Sequence, residues 1–336
     1  MGGNALAEFG AKRLTKADYE VKRDEVLAKL DTIGNYYGWV EIPSYLDKDS
    51  FGDLDILCTN IGVMTFDLIL KAFDNPPCFK NKGVMSFLYK DLQVDIISMP
   101  PEDYNTAYTY YSYNDLGNLM GKIFHKFGMK YGHKGLVIPL RDDDNSAHKF
   151  GEVIISKDPT KIFSFLGLSY RRFLYGFKNL KEIFDFVIYS PYFDPRVFSF
   201  ENMNNAARVR DRKRATYNAF LQYIEGSERF VYPNWDFDKI PVIFNHFPEA
   251  YMGYLAKTVE FEDHKASKKK FNGNNIMAWL KEGLDVNIKG PALGHFMNWV
   301  SEEKIGKRDL VISSEERIKE KVLRGYVEWL NKFDVD

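Results

Sequence analysis

The sequence has very little cysteine, with only Cys58 and Cys78 among its 336 residues. Two cysteines are too few for a disulfide framework or a cysteine-bound zinc site, so we expect a reducing compartment. The six histidines show no spacing that is typical of a metal site, and we expect none of them to be catalytic. These absences exclude disulfide-rich secreted proteins and cysteine-type zinc proteins.

Long apolar runs are also missing. No uninterrupted run approaches the ~18 residues that are needed to cross a bilayer. The first residues have no apolar core of a signal peptide, and Leu6 stands where the myristoylation pattern requires Ser or Thr. We therefore expect a soluble, cytoplasmic protein that does not contact membranes.

The sequence lacks an excess of charge of either sign. Lysine and arginine number 46 against 47 acidic residues, which gives a net charge of -1. This balance excludes a uniformly basic, histone-like binder but not a basic groove offset by acidic surface elsewhere. With 45% hydrophobic residues the chain can bury a sizeable core, so wholesale disorder is excluded as well.

The order of the predicted elements indicates an α+β fold, with a mixed sheet and helices on one side. Apolar spacing predicts a helix from Lys16 to Ile33 that stops at Gly34, and a second helix from Val63 to Phe73. Strand patterns cover residues 36–42, 53–57 and 92–97. Further helices are predicted over residues 115–127, 158–166, 180–188 and 208–224, with a connector over 232–248.

The length fits two or three domains of ~100–200 residues each. The polar stretch 141–146 predicts a loop and a domain boundary. We expect an α+β domain over 1–140, a helical region over 141–230, and a helical C-terminal module over 231–336.

Three aspartates form the most informative pattern. Asp53 and Asp55 lie two positions apart in a predicted strand, so both side chains project from the same face, ~6.6 Å apart along the strand. Asp95 is the single charged residue in the predicted strand 92–97, where it lies between Val94 and Ile96. Carboxylates that repel each other are stabilised by a divalent cation such as Mg²⁺. The plainer interpretation is that these aspartates sit at solvated strand ends.

The stretch from Pro43 to Asp55, which reads PSYLDKDSFGDLD, resembles the active-site entrance of the DNA polymerase β superfamily, especially the family X DNA polymerases. That family carries Gly-Ser, a short loop and then Gly-Asp-x-Asp. The resemblance continues from Val94 to Tyr131, and residues 161–168 are similar to the start of the family's thumb region. It covers roughly residues 20–170.

The resemblance implies a nucleotidyltransferase palm that transfers a nucleotide from an NTP or dNTP to the 3′-hydroxyl of a nucleic acid, with release of pyrophosphate. It implies two Mg²⁺ ions, with Mn²⁺ as a possible substitute. Asp53 and Asp55 would hold both ions, and Asp95 would hold the catalytic one and help to activate the hydroxyl. The residues that it implies in nucleotide binding are Ser44, Gly52, Tyr110, Tyr111 and Asn118.

The chain departs from the family pattern around the nucleotide. Pro43 replaces the glycine before the serine, which removes one backbone N–H, and Leu46 replaces an arginine. Tyr113 stands at the centre of a turn where the family has glycine, and a side chain there would crowd the sugar. These departures concern contacts with the triphosphate and sugar, and they leave the three aspartates unchanged.

Two basic clusters are candidate nucleic-acid contacts, because phosphates attract lysine and arginine. A solvated helix face is the plainer interpretation of each. The clusters consist of Arg208, Arg210, Arg212, Lys213 and Arg214, and of Lys265, Lys268, Lys269 and Lys270.

The segment 271–296 is weakly similar to the C-terminal helical region of CCA-adding enzymes and bacterial poly(A) polymerases. Its alternative is an ordinary helical domain. Three other functions remain open from the sequence: nucleotide transfer to an RNA or tRNA end, transfer to a protein or small molecule, and binding of nucleic acid or a nucleotide by a palm without catalytic activity.

Overall fold

The computed structural model describes residues 5–34, 38–59, 63–81, 83–142, 145–225 and 233–333. Its fold is mixed α+β, with a helical C-terminal part. Contacts divide the chain into two compact units. The first unit takes residues 1–139 and 152–251, and the second takes residues 140–151 and 252–336.

The strands are short, and most of them lie in the first half of the chain. They are β1 (Leu14–Thr15), β2 (Val40–Glu41), β3 (Ser50–Phe51), β4 (Asp53–Thr59), β5 (Cys78–Asn81), β6 (Val84–Tyr89), β7 (Leu92–Met99), β8 (Lys130–Gly132), β9 (Gly135–Asp142) and β10 (Asn145–Ser156).

The first helices lie between strands in the chain, and the later helices make up nearly all of the described C-terminal part. They are α1 (Lys16–Ile33), α2 (Val63–Ala72), α3 (Tyr104–Tyr111), α4 (Leu116–Lys126), α5 (Pro159–Phe165), α6 (Tyr170–Leu174), α7 (Leu180–Ile188), α8 (Asn205–Arg212), α9 (Ala215–Ile224), α10 (Lys239–His246), α11 (Tyr251–Lys270), α12 (Gly273–Leu284), α13 (Gly290–Val300), α14 (Lys307–Ile312) and α15 (Glu315–Phe333).

A five-stranded mixed sheet organises the first unit. Its strand order is β2-β4-β7-β6-β5, and β4 and β7 run parallel at its centre. The other neighbours pair antiparallel. Strands β8, β9 and β10 form a separate three-stranded sheet, and β1 pairs with β3. The two parallel central strands fix the positions of the acidic residues.

Helices α1 and α2 cover one face of the large sheet. Val26 of α1 and Ile69 of α2 pack in one buried apolar cluster with Leu54 of β4 and Val94 of β7. Helix α1 begins at a side-chain cap, in which Thr15 accepts a hydrogen bond from the backbone N–H of Asp18. Because side chains alternate along a strand, the neighbouring acidic residues project from the opposite face.

The predicted elements around the site are confirmed, whereas several others are wrong. The stretch 141–146 is predicted as a loop, but its described residues belong to the ends of β9 and β10. The strand predicted over 36–42 is reduced to Val40–Glu41, and residues 35–37 lie outside the described residues. The connector predicted over 232–248 contains α10, and the hairpin of β5 and β6 is missed.

The single helix predicted over 208–224 is also wrong, because α8 ends and α9 begins within it. Arg214 adopts an extended backbone at the break, with φ −92° and ψ 110°. Its side chain is held by ion pairs to Asp115 and Asp211. A tertiary contact thus overrides the local tendency to continue the helix.

The second unit has an apolar core of its own. Ile276 and Leu280 of α12, Phe296 of α13, and Val322 and Trp329 of α15 are buried together in it. In the part of the chain that the structure describes, we find no helix with the length and apolar character that a membrane crossing requires.

Candidate metal centre

Three carboxylates converge on one face of the central sheet. Asp53 and Asp55 lie on β4 and Asp95 lies on β7, and the parallel register pairs Asp55 with Asp95. One carboxylate oxygen from each residue lies within 4.8 Å of the others. The predicted convergence of the two acidic strands is therefore confirmed.

The geometry fits a small divalent cation. Two oxygens on opposite sides of one Mg²⁺ lie about 4.2 Å apart, which is twice a metal–oxygen distance of ~2.1 Å. The three carboxylate oxygens, which lie within 4.8 Å of one another, are close to that separation. Carboxylate oxygens are also the ligands that hard cations prefer. The triad of Asp53, Asp55 and Asp95 can thus hold a metal ion.

The electrostatics of the triad favour a cation. Burial and, to a smaller extent, the negative charges of Asp53 and Asp95 together raise the pKa of Asp55 to about 8. Burial also raises the pKa of Asp95, together with the charge of Asp53, although hydrogen bonds from Ser86 and Gln93 act in the opposite direction. Full ionisation of all three groups is therefore unfavourable unless positive charge is supplied.

A lysine that the sequence analysis did not single out lies beside the triad. Lys48 Nζ donates a hydrogen bond of 3.0 Å to Ser44 Oγ and lies 4.4 Å from the centre of the Phe51 ring. Burial lowers the pKa of Lys48, while the charges of Asp53 and Asp55 act to raise it. The site therefore contains a partly desolvated cation next to its carboxylates.

The loop that carries Ser44 is anchored by backbone hydrogen bonds. The Pro43 carbonyl accepts from the Tyr113 N–H at 2.8 Å, and the Leu46 N–H donates to the Phe177 carbonyl at 2.9 Å. Gly52 lies between β3 and β4, directly before Asp53. Ser44 and Gly52 are thus close in sequence to Asp53 and Asp55.

The two predicted nucleotide-site tyrosines lie at the end of α3, in different surroundings. Burial, together with Tyr110 and the charge of Asp55, raises the pKa of Tyr111 to about 12. Burial also raises the pKa of Tyr110, but the charges of Arg214 and Arg210 act to lower it. Tyr111 thus lies within electrostatic range of the triad, and Tyr110 lies within electrostatic range of Arg210 and Arg214 in the first basic cluster.

Asn118, the remaining predicted nucleotide residue, lies in the first turn of α4. Its Nδ2 atom is buried and has no hydrogen-bond partner among the described residues. The neighbouring Gly117 allows α4 to approach α3, because a Cβ there would lie 2.2 Å from the Tyr110 carbonyl oxygen. Close helix packing thus determines where Asn118 and Tyr110 lie.

The turn between α3 and α4 has an unusual backbone. Tyr113 and Asn114 adopt φ of 58° and 62°, a left-handed conformation that is unfavourable for tyrosine. The Tyr113 ring is buried edge-on against Phe173 and Phe177. The structure therefore directs this side chain into the apolar packing of the helical region.

Four of the five cations in the first basic cluster make internal contacts, and Arg212 does so with its guanidinium 5.5 Å from the centre of the Phe200 ring. Arg208 donates to the Phe200 and Met203 carbonyls. Arg210 and Arg214 pair with Asp211, which is buried and also accepts from Lys122. Arg212 and Lys213 are exposed.

The second basic cluster lies at the end of α11, in the second unit. Lys268 and Lys269 are exposed there. Lys270 donates to the carbonyls of Val311 and Ser313 at 2.8 and 3.0 Å, so it has a structural role.

Comparison with known proteins adds no family assignment. No protein-family model matches the chain, and a search of curated proteins found no match.

Proposed function

We propose that this chain is a metal-dependent nucleotidyltransferase that moves a nucleotide from an NTP or dNTP to a hydroxyl group and releases pyrophosphate. The acceptor that we favour is the 3′ end of a nucleic acid. One observation carries the proposal: Asp53, Asp55 and Asp95 converge from adjacent parallel strands. The resemblance of residues 43–55 to the family X DNA polymerases supports it.

The residues of the site have distinct roles in this proposal. Asp53, Asp55 and Asp95 would hold two Mg²⁺ ions, which supply charge neutralisation and a lowered pKa for the attacking hydroxyl. Lys48 and the Ser44 hydroxyl, which share a hydrogen bond, would contact the negatively charged triphosphate. Tyr111 would border the nucleotide.

A transfer assay tests this proposal directly. The wild type is incubated with labelled NTPs or dNTPs, Mg²⁺ or Mn²⁺, and DNA, RNA or tRNA acceptors. Isosteric variants Asp53→Asn, Asp55→Asn and Asp95→Asn should each lower the transfer rate by about 100-fold or more, because each removes charge at the reacting centre. Asp31→Asn is the control, since Asp31 is exposed on α1.

The choice of acceptor separates the two candidate activities. Preference for RNA or tRNA ends would favour terminal nucleotide addition, for which the helical second unit with its own core is the supporting observation. Equal rates for the wild type and all three triad variants would contradict the proposal. Calorimetric nucleotide binding without any transfer would favour a palm that binds but does not react.

A further inference from the structure

Gln93 lies on the same face of the sheet as the triad. It is the second residue of β7 and stands two positions before Asp95, so both side chains project in the same direction. The parallel register places it opposite Asp53. Gln93 is 2% exposed and Asp95 is fully buried. A buried amide beside a buried carboxylate needs hydrogen-bond partners for all of its polar atoms.

The two ends of the Gln93 amide have different partners. Gln93 Nε2 lies 3.0 Å from Asp95 Oδ1 and 3.2 Å from Oδ2, and donates to the carboxylate. Gln93 Oε1 accepts a hydrogen bond of 3.2 Å from the Leu6 backbone N–H. The reversed amide would place oxygen against the carboxylate and NH₂ against the N–H. The Leu6 N–H therefore fixes the orientation in which Gln93 donates to Asp95.

Leu6 belongs to an anchored N-terminal segment. The Leu6 side chain is 1% exposed, and the 3₁₀ turn Ala7–Phe9 follows it. The Lys12 N–H donates to the Asp91 carbonyl at 2.9 Å, directly before β7 begins. The next residues form β1, which pairs with β3. Contacts further along the segment thus hold the Leu6 N–H in place.

We propose that Gln93 is a positioning residue of the metal centre, and that the Leu6 backbone N–H locks Gln93 so that it holds the Asp95 carboxylate ready for metal binding. This inference rests on the proposed metal-dependent function, and it makes the N-terminal segment part of the site. The observation that supports the inference is the chain of hydrogen bonds from the Leu6 N–H to Gln93 and from Gln93 to Asp95.

The arrangement sets the ligands before a metal arrives. Gln93 holds Asp95 along its own strand, and Ser86, which is paired with Asp95 across β6 and β7, contributes a second hydrogen bond. The Gln93 amide turns its NH₂ group toward Asp95 and its oxygen toward the Leu6 N–H, so Gln93 acts through Asp95. Partners of this kind typically change metal affinity by 10–100-fold when they are removed.

Metal titration of the full chain tests the inference without an activity assay. Mn²⁺ binding is followed by electron paramagnetic resonance for the wild type, Gln93→Leu and the triad variant Asp95→Asn. Gln93→Leu should weaken Mn²⁺ binding about 10-fold or more, because Asp95 loses its donor. Gln222→Leu is the matched control, since Gln222 is exposed on α9 and far from the triad in sequence.

A second measurement uses the wild type alone, so it does not depend on the folding of a variant. If the hydrogen bond from the Leu6 N–H to Gln93 favours metal binding, metal binding must favour that hydrogen bond in return. Saturating Mg²⁺ should therefore slow amide hydrogen exchange at Leu6. Unchanged exchange at Leu6 on metal binding would overturn the inference. So would a folded Gln93→Leu variant that binds Mn²⁺ within twofold of the wild type.

The two proposals fail in different ways. If the wild type binds Mn²⁺ and Asp95→Asn does not, the metal centre stands, and an unaffected Gln93→Leu removes only the role of Gln93. If the wild type binds no Mn²⁺, the metal centre and the role of Gln93 fail together.

Discussion

At the level of single residues, burial and the charges of Asp53 and Asp95 raise the pKa of Asp55 from its ordinary 3.8 to about 8. Between these two values the folded protein binds a proton at Asp55 that the unfolded chain releases. The free energy of unfolding of the metal-free protein should therefore fall as the pH rises from about 4 to about 8.

Urea denaturation in a metal chelator across this pH range measures the effect. Asp55→Asn removes the titrating group, so its stability should depend less steeply on pH than that of the wild type. In a separate sample without chelator, saturating Mg²⁺ should flatten the wild-type pH profile, because the ion binds the folded state and stabilises it at the higher pH values where the carboxylates are ionised. Parallel pH profiles for the two proteins would contradict the assignment.

Gly117 gives a second prediction at the residue scale. Gly117→Ala places a Cβ 2.2 Å from the Tyr110 carbonyl oxygen, so α3 and α4 must move apart. We expect a loss of about 1–3 kcal/mol in the free energy of unfolding, measured by urea denaturation.

Gly121 on the same helix is the matched control for Gly117. A Cβ at Gly121 would meet no atom within 4 Å. Gly121→Ala should therefore leave stability unchanged or raise it by up to about 1 kcal/mol, through helix propensity. Equal effects of the two substitutions would show that the contact with Tyr110 does not limit packing.

The residues of the triad could be predicted from the sequence, but the residues that support it could not. Strand alternation places Asp53 and Asp55 on one face, and a lone charge in an apolar strand singles out Asp95. The role of Gln93 depends on the backbone of Leu6, which is 87 positions earlier in the chain. Lys48 lies in a loop with no periodic pattern that could place its side chain.

At the level of elements, the long helix α1 and the central strands β4 and β7 follow local patterns that the sequence shows. The break between α8 and α9 does not. The position of this break depends on buried Asp211, which pairs both with Lys122 of α4 and with Arg210 of the first basic cluster. Burial alone would raise the pKa of Asp211, but hydrogen bonds from Arg210 and Lys122 lower it. Contacts between elements distant in the sequence therefore determine where the helix ends.

Asp211→Ala tests this arrangement. The substitution leaves the Lys122 ammonium buried without its partner, so we expect a loss of about 3–5 kcal/mol in the free energy of unfolding. Lys213→Ala is the control, because Lys213 is exposed next to the same break. A destabilisation no larger than that of the control would show that the buried pair does not support the fold.

At the level of the whole molecule, the chain folds into two compact units, and the triad lies within the first. In the second unit, Trp329 is 1% exposed and packs against Phe296 and Tyr326. The pattern of apolar residues predicts a helical C-terminal part. It does not show that residues 140–151 belong to the same unit, because that grouping depends on contacts distant in sequence.

Trp329→Ala should remove about 3–5 kcal/mol from the stability of the second unit. Mn²⁺ affinity at the triad should stay at the wild-type value at a temperature where both units remain folded, because the ligands all belong to the first unit. Thermal denaturation and metal titration of the same samples provide the two readouts. A parallel loss of metal binding would show that the site depends on the second unit.

The most direct test of the central claim is an anomalous diffraction measurement on crystals grown with Mn²⁺. The account predicts a manganese peak within coordination distance of carboxylate oxygens from Asp53, Asp55 and Asp95. No peak at the triad under saturating Mn²⁺, or a peak held by other residues alone, would contradict it.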